Sequence, residues 1–178
     1  MNEEIILEEE AIAEEQSLEL ARVATAITMR PIRGLPTLKP PICVPPTVSV
    51  REAVERMNEH SVGCVLVETG GRLVGVFTER DVLTKIVQSR RDIDATRVAD
   101  VMTPDPECLT PGDRIAYALN KMSVGGFRHI PLVDEDGRPV GVVAMRNIVD
   151  FVVDLFPGEV LNLPPSPGLS ISREREGA

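Results

Sequence analysis

The sequence is poor in the side chains that nucleic-acid binding and metal chemistry require. Its 178 residues contain no Trp, one Tyr and four Phe, so few rings are available to stack on bases. Cys43, Cys64 and Cys108 lie far apart, and neither they nor the two His have the spacing of metal ligands. We therefore expect no nucleic-acid partner, no metal site and three buried, unreactive thiols.

Long apolar runs are also missing. Residues 62–67 form a run too short to cross a bilayer, and residues 148–155 are interrupted by charge, so no membrane-spanning helix is predicted. The chain starts with Met1-Asn2-Glu3-Glu4, which lacks the basic start of a secretory signal. These features predict a cytoplasmic protein without membrane association.

Negative charge is concentrated near the N-terminus. Of the 28 acidic and 19 basic residues, eight Glu and one Arg fall within residues 1–29, which leaves 20 acidic and 18 basic residues in a nearly neutral remainder. The composition of residues 1–30 favours an acidic helical arm, and a frayed, solvated arm is the alternative. The Pro-containing segment 157–178 is predicted to be a flexible tail.

An internal repeat occupies the residues between these ends. Cys43, Pro46, Ala53 and Met57 have identical residues 65 positions later. Eight further identities between residues 66–80 and residues 132–146 share a spacing of 66. Recurrence in one frame indicates two copies of one structural unit, which we assign to residues 31–92 and 93–156.

Each copy has the pattern of a β-α-β-β-α unit. In the first copy, Ser49 and Glu52 form a capping box that starts a helix, and two apolar runs flank the Gly70-Gly71 turn before a second helix from about Glu79 to Gln88. One such unit is too small to bury much surface by itself. We therefore predict an α+β fold in which the two units pack sheet against sheet with pseudo-two-fold symmetry.

The sequence motifs of both copies resemble those of the CBS domain family. In the first copy, residues 71–81 read GRLVGVFTERD, which is similar to the family's glycine, apolar pair, Thr and Asp. The second copy carries Val101-Met102-Thr103-Pro104 and Arg128-His129-Ile130-Pro131, which are also typical of the family. The resemblance implies two tandem CBS repeats, a Bateman module, over residues 36–156.

Thr78 and Asp81 are the candidate ligands of a ribose and its phosphate. The Thr78 hydroxyl lies where a helix begins and N–H groups favour a phosphate, and the Asp81 carboxylate can accept both ribose hydroxyls. The same spacing is also an ordinary capping box that needs no ligand. In the second copy the equivalents are Ala144 and Asn147, which predict a poor cap and a degenerate site, so we expect one competent site per chain.

Basic residues complete the predicted phosphate site. The resemblance implies that Arg128 and His129 of the second copy meet phosphates bound by the first, and Arg suits phosphate because its donor fork stays charged. Arg80 and, in the degenerate site, Arg146 lie at helix starts, where cations are poor caps but suited to contact a phosphate. The alternatives are solvated surface charges and, for His129, a structural hydrogen bond.

The resemblance assigns an adenine slot to the first segment and middle strand of the first copy. The residues concerned are Val44, Pro45, Cys64 and Val65. The alternative is plain core packing, which applies to these residues with or without a ligand.

No enzymatic activity is expected, because the chain has no P-loop, no G-x-S-x-G elbow and no evident nucleophile with its base. The expected function is the regulatory binding of AMP, ADP, ATP or S-adenosylmethionine between the two repeats, without chemical change. The alternative is a ligand-free dimerisation scaffold. In both cases the resemblance implies a homodimer formed through helix faces, acting on an effector protein that the sequence does not identify.

Overall fold

The structure is a computed structural model that describes residues 24–155 without a break, together with residues 14, 17, 18, 21 and 22. Residues 24–29 and the five isolated residues before them are helical. The rest of the acidic arm, and the tail predicted at 157–178, lie outside the described residues. Among the helices of the described part, none combines the length and the hydropathy of a membrane span.

The first repeat contains the predicted order of elements. Strand β1 is Cys43–Val44, helix α1 is Val50–His60, β2 is Cys64–Thr69, β3 is Arg72–Thr78, and α2 is Glu79–Asp81, which continues as a π-helix over Val82–Val87. Helix α1 begins where the Ser49 hydroxyl accepts the Glu52 N–H at 3.1 Å. Between β2 and β3, Gly70 and Gly71 have φ of +60° and +78°, which explains why the turn uses glycine.

In the second repeat, strand β4 is Thr103–Pro104 and joins the sheet of the first repeat. The first strand of the unit itself is reduced to a single bridge at Leu109, after which helix α3 is Ile115–Gly125, β5 is His129–Val133, β6 is Pro139–Ala144 and α4 is Met145–Leu155. A 3-10 turn precedes each β-α-β-β-α unit, over Ile32–Gly34 and Val98–Asp100. The predicted α+β fold of two β-α-β-β-α units is therefore confirmed.

The two sheets have the same pattern of strand pairing, although the edge strands of the second are reduced to single bridges. The larger sheet has the order β1-β2-β3-β4, in which β1 is parallel to β2 and the other pairs are antiparallel. In the smaller sheet β5 pairs with β6, and single bridges join Leu109 to Leu132 and Lys39 to Val142. These bridges are the counterparts of the β1–β2 and β3–β4 pairings, so the pseudo-two-fold symmetry extends to the sheet edges.

The segments that lead into the two repeats are exchanged between them. Ile32 and Leu35 precede the β-α-β-β-α unit of the first repeat but are buried in the core of the second, whereas Val98 and Val101, which precede the second unit, are buried in the core of the first. Backbone hydrogen bonds fix both segments, since the Ile32 N–H donates to the Asp113 carbonyl at 2.8 Å and the Val98 N–H donates to the Val48 carbonyl at 2.9 Å. Each core is therefore completed by residues outside its own β-α-β-β-α unit.

A third, smaller apolar cluster joins the two sheets. Cys64 and Leu66 of β2 and Val76 of β3 are buried there, with Val142 of β6 packed against them. Alternate side chains of a strand face opposite sides of its sheet, so β2 can bury some residues in the core of its own repeat and others against β6. The cluster therefore accounts for the predicted packing of sheet against sheet.

We predict that Ile32→Ala lowers the free energy of unfolding by about 2–5 kcal/mol, because a fully buried side chain leaves a cavity in the second core. Urea denaturation at fixed protein concentration measures the change. Val124→Ala, at a position that is 82% exposed on α3, is the control and should shift stability by less than about 0.5 kcal/mol. Equal, small effects of both variants would contradict the exchange of segments.

Candidate functional site

A cavity of about 390 Å³ opens where β3 passes into α2, and residues of both repeats line it. The first repeat contributes Gly63, Val76, Thr78, Glu79, Arg80 and Asp81. The second contributes Thr103, Asp105, Pro106, Glu107, Phe127, Arg128 and His129. The exchange of segments places residues 103–107 here, because β4 pairs with the end of β3 that leads into α2.

Five residues predicted from the sequence as ribose or phosphate ligands come together in this cavity. Thr78, Arg80 and Asp81 lie at the start of α2, and Arg128 and His129 lie at the start of β5. The two groups are far apart along the chain, and the pseudo-symmetric packing of the repeats brings them to one site.

The segment from Thr103 to Glu107 and the ring of Phe127 were not predicted from the sequence as site residues. Residues 103–107 line the cavity because the second repeat's leading segment crosses to the first repeat, and Phe127 lines it from the segment just before β5. The internal repeat gave one indication of this segment, because a leading segment precedes the first matched strand of each copy. No local pattern, however, indicates that this segment adds to the other sheet.

The residues predicted for the adenine slot, on the first strand and the middle strand, are not part of the lining of this cavity. Val44 and Val65 are buried at 3% and 0% exposure in the core of the first repeat. Pro45 is exposed and lines neither cavity, and Cys64 lines a second cavity on the other side of the module. For the two valines the structure shows core packing, with Val65 on the inner strand β2 and Val44 on the neighbouring edge strand β1.

Thr78 and Asp81 form the capping box that the sequence left as an alternative. The Asp81 Oδ2 accepts the Thr78 N–H at 2.9 Å and the Thr78 hydroxyl at 2.7 Å, while the Asp81 N–H faces the Thr78 Oγ1 at 3.3 Å. Asp81 is only 8% exposed, yet it lines the cavity. The cap therefore holds a buried carboxylate at the cavity wall, which is compatible with ligand binding.

The basic residues differ in how firmly they are held. The Arg80 guanidinium donates to the Gly126 carbonyl at 2.7 Å, which ties the start of α2 to the end of α3. Arg128 is exposed at the rim of the cavity. Lys121 forms an ion pair with Glu107 in the cavity wall. Of the cavity's cations, Arg128 is thus the one best placed to meet an incoming anion.

His129 stands between the two cavities and lines both of them. Burial lowers the pKa of His129 below its ordinary value, Arg128 and Arg80 lower it further, and Glu79 opposes them. A Cβ at Gly63, the residue equivalent to His129 in the first repeat, would lie 2.9 Å from the His129 Nε2. The imidazole therefore occupies space that only a glycine leaves free, and it is neutral near pH 7.

The second cavity, of about 360 Å³, is the pseudo-symmetric counterpart of the first. Its lining includes Thr37, Lys39, Pro40, Ile42, Ser61, Val62, Gly63, Cys64, His129, Val142, Arg146, Asn147 and Asp150. Arg146 is exposed and approaches Asp150 at 3.8 Å, and Ala144 is not part of the lining.

Asn147 makes one of the two bonds of a capping box in the second repeat, and the other is absent because Ala144 has no side-chain oxygen. Its Oδ1 accepts the Ala144 N–H at 2.7 Å, and its Nδ2 donates to the Thr37 carbonyl at 3.0 Å and to the Thr37 hydroxyl at 2.9 Å. The amide caps α4 and also grips the segment that leads into the first repeat. The second site therefore differs from the first in having a neutral amide, bonded to the leading segment of the first repeat, in place of the Asp81 carboxylate.

The cysteines carry raised pKa values. Burial raises the pKa of the Cys64 thiol to about 12 and that of Cys43 to about 11, and burial also raises the pKa of Cys108. Cys64 is buried as predicted, whereas Cys43 and Cys108 are half-buried. All three stay protonated at neutral pH and are weak nucleophiles. In the described part of the chain, no three His, Cys, Asp or Glu side chains converge as metal ligands would.

Among curated relatives, an uncharacterised 17.7 kDa protein of Acidianus ambivalens is 35% identical over 113 residues, which are 63% of this chain and 67% of that protein. The CBS domain-containing protein CBSCBSPB3 of Arabidopsis thaliana is 33% identical over 112 residues, but these are only 20% of its length. The shared unit is therefore also found as a small part of a much longer protein.

Among solved structures, a CBS domain protein of Pyrobaculum aerophilum complexed with AMP superposes with a TM-score of 0.63. It is 26% identical, and the match covers 71% of this chain and 98% of that one. The family model of the CBS domain matches twice, at residues 32–88 and 98–154, which agrees with the two structural repeats. This chain belongs to the CBS domain family and carries a tandem pair of its repeats.

Proposed function

We propose that this protein is a non-catalytic regulatory module that binds one adenine nucleotide in the cavity between its two repeats. The observation that carries the proposal is the convergence of Thr78 and Asp81 from one repeat with Arg128 and His129 from the other on a single cavity. The two halves supply different chemistry, a carboxylate for hydroxyl groups and cations for phosphate. A ligand with both groups fits this division.

The ribose is assigned to Asp81. A carboxylate has about four lone-pair positions, and in the free protein Asp81 uses two on Oδ2 and one on Oδ1. If the Thr78 hydroxyl turns toward a ligand oxygen, Oδ2 regains a lone pair. The two carboxylate oxygens can then accept the two ribose hydroxyls without unfolding the cap, because the Thr78 N–H still donates to Oδ2.

The phosphate is assigned to the opposite wall of the cavity. Arg128 offers a planar donor fork at the rim, and His129 offers a ring N–H beside it. Arg80 stands nearby but already donates to the Gly126 carbonyl, so we give it an electrostatic role. The adenine is assigned to the apolar surfaces of Val76, Pro106 and Phe127, which replace the slot predicted from the sequence.

The charges of the cavity favour a ligand with few phosphates. Its lining holds four carboxylates, of Glu79, Asp81, Asp105 and Glu107, against the guanidinium groups of Arg80 and Arg128. A triphosphate would bring more negative charge to this wall than two arginines offset, because like charges repel at short range. We therefore rank AMP above ADP and ATP, and we keep S-adenosylmethionine, which carries a cation, among the candidates.

Two further observations support the proposal. The Pyrobaculum relative described above was solved with AMP, which makes an adenine nucleotide a reasonable first ligand to test. The second cavity has its key amide engaged with Ala144 and Thr37, which supports one competent site per chain.

The alternative function is a ligand-free dimerisation scaffold. One observation favours it: Leu83 and Val149, which are equivalent positions on the closing helices of the two repeats, are 64% and 51% exposed. Exposed apolar side chains on helices are typical of protein contact surfaces when they form a patch. A scaffold and a sensor predict the same homodimer, so only the response to a ligand distinguishes them.

We predict that AMP at about 100 times its dissociation constant adds about 2.7 kcal/mol of stability, which raises the melting temperature by roughly 5–10 °C. Asp81→Ala should abolish most of the rise. Asp113→Ala is a matched control, because Asp113 accepts the Thr110 N–H and hydroxyl as Asp81 accepts those of Thr78, but lines neither cavity. It should lower the baseline melting temperature and leave the AMP response intact.

A flat response of the wild type to AMP, ADP, ATP and S-adenosylmethionine would favour the scaffold. Equal loss of the response in both aspartate variants would show that the caps matter only for folding. Isothermal titration at 25 °C, below the melting temperature of each variant, checks that an altered response reflects binding rather than a lower baseline.

The lowered pKa of His129 gives a prediction for pH. As pH falls below about 6.5, the unfolded chain takes up a proton at His129 that the folded protein resists, so the free protein loses stability. A phosphate beside the imidazole should reduce this loss, because it favours the charged ring. We expect the stabilisation by AMP to grow between about pH 7.5 and pH 5.5 in the wild type.

His129→Asn is the control for that measurement. It removes the titrating ring but leaves the phosphate of AMP to titrate as before, so the difference between the two melting series reports on His129 alone. Parallel series for the two proteins would remove His129 from the proposed phosphate site.

We predict a homodimer, visible by sedimentation equilibrium as twice the 19.4 kDa mass of the chain. Leu83→Glu combined with Val149→Glu should dissociate it, because burial of unpaired carboxylates at an interface costs several kcal/mol. Val140→Glu, at an exposed position on β6, should leave the dimer intact. A wild type that sediments at the mass of one chain would refute the dimer.

A further inference from the structure

The geometry points to Lys85 as a positioning residue that holds the Asp81 carboxylate and ties it to the segment of the second repeat that forms the far wall of the cavity. The inference rests on the proposed function in one respect, since it names ribose as what Asp81 binds. It concerns a side chain that neither the predicted site nor the lining of the cavity includes.

Lys85 makes contacts in two directions. Its Nζ lies 2.7 Å from the Asp81 Oδ1, four residues earlier in the same helix. The same Nζ donates to the Val101 carbonyl at 2.8 Å and approaches the Thr103 hydroxyl at 3.5 Å. One ammonium group therefore joins the start of α2 to the segment that runs from the first core to the cavity wall.

The second repeat makes the same connection without a lysine. There the residue equivalent to Asp81 is Asn147, and Thr37 lies in the segment that leads into the first repeat, as Val101 and Thr103 lie in the segment that leads into the second. The Asn147 amide donates directly to Thr37 and caps its helix through Oδ1. A carboxylate has no donor at neutral pH, so in the first repeat the connection to Thr103 requires a separate cation. Lys85 supplies it.

The π-helix explains how a lysine reaches this position. In the alignment of the repeats, Lys85 corresponds to Phe151, which is buried in the second core. In the first repeat the buried residue of this turn is Ile86, one position later. The wider turn of Val82–Val87 accommodates the extra residue, so that Ile86 fills the core and the Lys85 ammonium lies at its edge. The corresponding part of the second repeat is a regular α-helix.

The two arrangements differ in what they leave for a ligand. The Asn147 Oδ1 accepts one N–H and keeps a single lone pair, whereas Asp81 keeps a free lone pair on Oδ1 and gains another on Oδ2 when Thr78 turns. Lys85 remains bound in the liganded protein and fixes the plane of the carboxylate. Recognition of the ribose hydroxyls and the position of the Val101–Thr103 segment are thereby coupled through one ammonium group.

The first arm of the test uses no ligand. Melting temperatures are measured for the wild type, Lys85→Met, Asp81→Asn and the double variant. Lys85→Met should lower the melting temperature, because a buried carboxylate loses its cation. Adding Asp81→Asn to that variant should raise it again by roughly 2–4 °C, because the charge is removed and the amide can donate to Thr103 as Asn147 does to Thr37.

In the wild-type background the same Asp81→Asn change should lower the melting temperature. The opposite sign in the two backgrounds is the expected result. Additive changes, with Asp81→Asn equally harmful in both backgrounds, would overturn the inference, whether or not the protein binds a nucleotide.

The second arm measures dissociation constants for AMP and 2′-deoxy-AMP. Loss of a hydrogen bond to a charged group raises a dissociation constant roughly 10-fold or more, so the wild type should bind AMP more tightly than 2′-deoxy-AMP by at least that factor. In Lys85→Met the preference should fall to about 3-fold or less, since the carboxylate is no longer oriented. Lys121→Met, which removes the lysine paired with Glu107 at the same cavity, should keep the wild-type preference.

The two arms separate the possible failures. If the wild-type protein binds neither nucleotide, both the proposed function and the role of Lys85 in ribose binding are wrong. The first arm still decides whether Lys85 holds Asp81. If both affinities fall equally in Lys85→Met and the preference is unchanged, Lys85 supports the fold and does not position the carboxylate for ribose.

Discussion

The exchange of the leading segments between the two repeats is the constraint on which the rest of the structure depends. Ile32 and Val98 are fully buried, each in the core of the opposite repeat, and each is fixed there by a backbone hydrogen bond. Removing either segment would expose apolar surface that no residue of the same β-α-β-β-α unit can cover. The pair of repeats is therefore one cooperative unit rather than two linked domains.

The two cavities follow from this exchange. Strand β4 reaches the free edge of β3, and the residues after it become the far wall of the first cavity. Lys39 makes the equivalent bridge to Val142 beside the second cavity. Both cavities thus form where a leading segment crosses to the other repeat. At the equivalent position of their walls, the first has Asp81 paired with Lys85 and the second has Asn147.

The parts of the structure that depend on local pattern could be predicted from the sequence. Apolar periodicity and the Gly70-Gly71 turn predicted the element order, and the family motif identified Thr78 and Asp81. The wall from Thr103 to Glu107 could not be predicted, because pairing of β4 with β3 is a long-range contact without a local signal. The Asn147 cap was missed for a related reason, since its amide is oriented by Thr37, more than a hundred residues away.

The segment exchange also determines when the first repeat can fold during synthesis. Its core contains Val98 and Val101, which follow the closing helix of that repeat by about ten residues. A nascent chain that has emerged only as far as Val87 therefore lacks part of its own interior and exposes the vacant surface. During synthesis, the first repeat can complete its core only after residues 98–101 have emerged from the ribosome. The second repeat has no such delay, because Ile32 and Leu35 are synthesised before it.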